Sequence, residues 1–66
     1  MNVIINGTPR QVADGISVRD AVGLITAAAA GVAAAVNDEV VRRAAWDSTL
    51  LAEGDQVEVL TAVQGG

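Results

Sequence analysis

The group in this sequence best placed to do chemistry belongs to the backbone: the carboxylate of Gly66, reached through Gly65 at the end of the stretch GDQVEVLTAVQGG. Glycine loses more backbone entropy on ordering than any other residue and packs no side chain, so a terminal pair adds nothing to a core. It does supply a thin strip of backbone that can thread a narrow channel, where a Cβ would clash or restrict φ and ψ. Side-chain alternatives are few. The chain has no cysteine and no histidine, which excludes a disulfide scaffold, a thiol nucleophile, an imidazole base and a Cys/His zinc site. All four basic residues are arginines, Arg10, Arg19, Arg42 and Arg43, which excludes a Schiff-base lysine. The acids Asp38, Glu39, Asp47, Glu53 and Asp55 fall where loops and turns are expected, and their spacing suits neither a metal site nor a general acid/base pair. Taken alone, the diglycine is either a frayed end or a reactive terminus, and the elements before it must decide.

At 66 residues the chain allows one small domain, 1–66. Such a domain buries only about 60% of its unfolded surface, and with no cysteine or histidine to staple it the core must rest on packing. Eight acids against four arginines leave a net charge of −4, which disfavours nucleic acid as a partner, and Trp46, the single aromatic residue, offers no stacking platform for bases. The opening MNVIINGTPR lacks a basic region followed by a long apolar one, so no secretory signal is expected and the expected location is cytoplasmic. The uncharged run AVGLITAAAAGVAAAV is 16 residues long and rich in alanine. That falls short of the roughly 20 strongly apolar residues of a spanning helix, so no membrane association is expected.

The elements that would present the terminus can be read in order. MNVIIN is β-rich with Val3 and Ile5 on one face, Asn6-Gly7 is a hairpin turn, and PRQVA returns as a second strand in which Pro9 marks the start or an outer edge. Asp14-Gly15 turns the chain into a helix with Ser17 as N-cap and Asp20 as its partner three residues on. The spacing of Val18, Ala21, Val22, Ile25 and Ala28 predicts a helix over about Val18 to Ala30 with one apolar stripe, ended by Gly31. VAAAVN then reads as a strand, Asn37-Asp38-Glu39 as a turn and VVRR as a short returning strand, with a register that alanine specifies weakly. AAWDSTLLAEGD is a long connection with a helical turn expected near Asp47, and QVEVLTAV is the last strand, with Val57 and Val59 on one face and Glu58, Leu60 and Ala62 on the other. The result is an α+β chain, a mixed sheet packed across one helix. Its expected core is Val3, Ile5, Val12, Ile16, Val18, Val22, Ile25, Val36, Leu51, Val57 and Val59.

Three segments together carry a resemblance: AVNDEVVRRAAW from Ala35 to Trp46, LAEGDQVEV from Leu51 to Val59, and the closing AVQGG. An apolar residue and Asn before a turn, Arg43 and Trp46 three apart, Gly-Asp before the last strand and a terminal diglycine resemble the sulfur carriers of thiamin biosynthesis, the ThiS family. These are ubiquitin-like proteins of the β-grasp fold. Each piece is common on its own, and the conjunction is what is specific. The family often has Pro where this sequence has Arg42, a difference in local backbone restraint.

The resemblance implies a protein co-substrate rather than an enzyme, with no cofactor and no metal of its own. The Gly66 carboxylate would be adenylated by an E1-like ATP-dependent adenylyltransferase and attacked by a persulfide sulfur donor. The resulting thiocarboxylate would deliver sulfur to a thiazole synthase. Gly65 would serve as part of a flexible tail. Leu60, with Ala62 and Val63, would form the docking surface of a carrier that is monomeric when free. Trp46 reads first as a packing residue and Arg42 and Arg43 as solvated strand-end charges, with partner contact as the other reading; Leu60 would be covered if the Trp46 loop folded over it. Three other functions fit the same outline: the small subunit of molybdopterin synthase, a ubiquitin-like modifier joined to lysines, and an interaction module with an inert tail.

Overall fold

The computed structural model describes residues 1–28 and 30–62. Strands β1 (Asn2–Ile5) and β2 (Thr8–Gln11) form an antiparallel hairpin. Asn6 and Gly7, at φ 51° and 80°, give the left-handed pair that a tight two-residue connection needs. Pro9 lies in β2, an outer strand of the sheet, where its missing N–H costs no ladder bond on the open edge.

Helix α1 (Val18–Ile25) starts where the sequence places it. The Ser17 hydroxyl accepts from the Asp20 amide and the Asp20 carboxylate accepts from the Ser17 amide, each at 3.1 Å, so both halves of the capping box are made. Val18, Ala21 and Val22 are buried, while Ile25 is half-buried. The helix ends earlier than the expected Ala30. Thr26 is extended (φ −149°, ψ 148°), its amide still donates to the Val22 carbonyl, and its hydroxyl accepts from the Ala28 amide at 3.0 Å. A threonine hydroxyl offers the backbone an alternative to another helical turn, and the alanine methyls that follow would add little burial by continuing. Ala28 therefore lies outside the helix and is exposed, and Gly31 is the residue that leads into the next strand.

Strands β3 (Val32–Val36) and β4 (Glu39–Val41) form a second antiparallel hairpin, with Asn37 and Asp38 at positive φ. Glu39 belongs to the strand rather than the turn. Arg42 and Arg43 lie beyond β4, since the chain turns into a short 3₁₀ helix (Arg43–Ala45) there, ahead of the position near Asp47 where a helical turn was expected. Strand β5 (Gln56–Thr61) then runs between β1 and β3, giving the order β2-β1-β5-β3-β4, parallel only between β1 and β5. Two hairpins joined by a helix, with the last strand inserted centrally, make the β-grasp.

Alanine cannot set the register of β3 against β5, and Asn37 does it instead. Its amide donates to the Gln56 carbonyl at 2.7 Å, its side-chain oxygen accepts from the Gln56 amide at 3.0 Å, and its Nδ2 donates to Asp55 at 3.0 Å. Val36 therefore pairs with Val57 and Ala34 with Val59. Val3, Ile5, Val18, Val22, Leu51, Val57 and Val59 are buried as expected, joined by Ala21, Ala34 and Trp46. Val12, Ile16, Ile25 and Val36 are only half-buried at the margin, which is broad in so small a domain.

Candidate functional site

The last strand, β5, is held on both sides. On one side the Asn6 side chain substitutes for a continuation of β1: its oxygen accepts from the Val59 amide at 2.8 Å and its Nδ2 donates to the Val59 carbonyl at 3.2 Å. On the other side β3 pairs with β5 as far as Val32 opposite Thr61. Beyond it the Ala62 amide donates to the Gly31 carbonyl at 2.6 Å. Sequence reading identifies Asn6 only as a turn residue and Gly31 only as a helix end. The turn signals were visible, but the bonds to β5 reach across 53 residues for Asn6, and local spacing does not encode them.

Alternation along β5 sends Val57 and Val59 into the core and Glu58 and Leu60 outward. Leu60 is 65% exposed, opposite Ala33 on β3, and Ala62 is exposed two residues further on. Val63, Gly65 and Gly66, the other residues expected to act, lie outside the described residues. Leu60 and Ala62 stand at the exit of β5 as an apolar rim on a central strand of the sheet.

Trp46 does not cover that rim. It is 3% exposed and packed into the core, where its indole N–H donates to the Val41 carbonyl at 2.9 Å, and the Arg43 guanidinium lies 5.1 Å from its ring centre. The loop around it docks on the start of α1: Arg19 donates its amide to the Trp46 carbonyl, Val18 to Thr49, and the Arg19 guanidinium pairs with Asp47 at 2.6 Å. The structure thus follows the packing reading of Trp46, and Leu60 is left open to solvent.

Surface clefts lie elsewhere. One runs between β2 and α1, lined by Arg10, Val12, Ile16 and Leu24; another lies beside Trp46, lined by Arg19, Gly23 and Arg43. Neither includes Leu60 or Ala62, and shallow clefts of this kind do not form an enclosed reaction chamber. Among the described residues no group of three His, Cys, Asp or Glu side chains converges as metal ligands. Among the described residues no helix is long and apolar enough to cross a membrane.

Comparison with known proteins agrees with this fold. The model of the ThiS family matches residues 3–66. The sulfur carrier protein ThiS of Escherichia coli (strain K12) is 29% identical over 66 residues, covering 100% of both chains. A crystal structure of a thiamine biosynthesis protein (ThiS) from Geobacter metallireducens superposes with a TM-score of 0.82 at 38% identity, covering 100% of each chain. A solution structure of a thiamine biosynthesis protein from the same organism gives 0.81 at 36% identity, covering 100% of this chain and 88% of that one. With a β-grasp domain and a family match over residues 3–66, this chain belongs to the ThiS family.

Proposed function

We propose that the protein is a sulfur carrier for the thiazole moiety of thiamin, with the Gly66 carboxylate as its working group. The observation that carries this reading is the family match over residues 3–66, which spans the tail as well as the domain. An E1-like ATP-dependent adenylyltransferase joins the carboxylate to AMP with release of pyrophosphate, which turns a poor electrophile into a mixed anhydride. A persulfide sulfur attacks the acyl carbon, AMP leaves, and cleavage of the sulfur–sulfur bond by a further thiol leaves a C-terminal thiocarboxylate. This soft nucleophile passes its sulfur to an acceptor held on a thiazole synthase, and the carboxylate is restored.

The domain's part is presentation. Leu60, Ala62 and Val63 dock against each enzyme while Gly65 and Gly66 enter its active site, where side chains at those positions would obstruct the path. The exposure of Leu60 and Ala62 at the exit of β5 supports this placement. One surface serving both encounters makes them mutually exclusive, so the carrier works as a free monomer that binds each partner with modest affinity. Nothing in this cycle requires a cofactor or metal on the carrier, and it fits a cytoplasmic location.

The test is genetic complementation. Expressed in a bacterium lacking its own carrier, the protein is expected to restore growth without added thiamin, and the same chain lacking Gly65 and Gly66 is not. Growth that depends on a molybdenum cofactor, restored in place of thiamin-independent growth, would contradict the reading.

A further inference from the structure

The face of the sheet turned away from α1 carries one charge among its described strand residues, Glu58. In the pairing register Glu58 stands opposite Ala35, which in turn stands opposite Val40, and next along the same face Leu60 stands opposite Ala33. Val40 is 78% exposed and Leu60 65%. Glu58 is exposed too, and its carboxylate makes no hydrogen bond or ion pair with another described residue. None of the four arginines pairs with it: Arg10 stands opposite buried Val3 and so faces the helix side, Arg19 binds Asp47, Arg43 lies on Trp46, and Arg42, exposed just beyond β4, makes no ion pair with Glu58.

A partner surface that covers Leu60, Ala33, Ala35 and Val40 also takes Glu58 out of water. An uncompensated carboxylate in that position opposes association, so the covering surface has to bring a cation to it. A second copy of this chain does the reverse, because a two-fold contact through the face sets Glu58 near Glu58. Arginine suits the place better than lysine. Its planar fork can take a carboxylate at two points, while its stem lies along the apolar neighbours Leu60 and Ala35.

We infer that Glu58 is the polar anchor of this face and that the adenylyltransferase's apolar docking surface carries an arginine that pairs with it. The inference rests on the reading of the face as a docking surface given above, and it adds the chemistry the partner must have. The pair fixes the register of the complex, and with a net charge of −4 on the carrier it also speeds encounter at low salt.

Calorimetric titration of the adenylyltransferase with the wild-type carrier, Glu58→Gln, Glu58→Arg and Leu60→Asp, at low and high salt, tests it. Glu58→Gln is expected to raise the Kd at least about tenfold and to flatten its salt dependence, and Glu58→Arg to weaken binding further. Thermal melts of both Glu58 variants are expected to match wild type, because the side chain is exposed and unpaired. Wild-type affinity in Glu58→Gln, with binding lost in Leu60→Asp, overturns the arginine pairing and leaves the docking face standing. Wild-type affinity in all three variants removes the docking face itself.

Discussion

Gly31 and Ala62 meet where β5 ends: the Ala62 amide donates to the Gly31 carbonyl at 2.6 Å, and a Cβ built on Gly31 would stand 3.0 Å from that of Ala62. Gly31 is at φ +73°, a conformation that side chains disfavour. The residue thus lets the chain turn into β3 and approach the end of β5 closely at the same point. Gly31→Ala is expected to lose about 1–2 kcal/mol of stability in urea unfolding and to speed exchange of the Ala62 amide. Unchanged exchange at Ala62 would show that this contact does not hold the end of β5.

Asn6 has two tasks that substitution can separate. It adopts φ 51° in the hairpin turn, and its side chain makes both hydrogen bonds to the Val59 backbone. Asn6→Gly keeps the turn and loses the bridge, at a cost of about 1–2 kcal/mol for two partly exposed bonds. Asn6→Ala adds the left-handed backbone penalty and is expected to be about 1 kcal/mol worse again. Equal stability of the two variants, measured by urea midpoint, would assign the whole effect to the side-chain bridge.

The central role of Trp46 in packing gives a third expectation. Trp46→Phe removes the donor to the Val41 carbonyl and part of the buried volume, and should cost about 1–3 kcal/mol. Trp46→Ala should cost about 3–5 kcal/mol, comparable to the entire stability of so short a chain, and leave it largely unfolded at 37 °C. Circular dichroism is the measurement, since Trp46 is the protein's only aromatic residue and its fluorescence disappears with it.

Elements that carry their own chemistry were legible in the sequence. Asn6-Gly7 marked the hairpin, Ser17 and Asp20 the start of α1, and the alternation of Val57, Glu58, Val59 and Leu60 the two faces of β5. What failed depended on partners remote in the chain or on small differences in burial. The alanine run after Ile25 has high helix propensity, and only the extended Thr26 and the need to reach β3 stop it. Asn37 looked like turn chemistry alone, although it is what pins β3 to β5. Alternation places Glu58 on the outward face of β5, but the consequence of its charge among Leu60, Ala33, Ala35 and Val40 becomes visible only when β3 and β4 are laid beside it. Of the site, Leu60 and Ala62 could be placed from alternation, while Val63, Gly65 and Gly66 rest on sequence and family.

Intact-mass spectrometry tests the central claim most directly. Incubated with its adenylyltransferase, ATP, a persulfide donor and a thiol, the full chain is expected to gain the mass of one sulfur in place of one oxygen, localised by fragmentation to Gly66. Gly65→Val should slow the gain with little change in stability, since a β-branched residue restricts the extended thread that enters the enzyme. Removal of Gly66 should abolish it. No cysteine, histidine or lysine is present to hold activated sulfur, and fragmentation separates Gly66 from the eight side-chain carboxylates. A sulfur-for-oxygen gain that survives deletion of Gly65 and Gly66, or a product joined through Gly66 to a lysine of another protein in its place, would contradict the account.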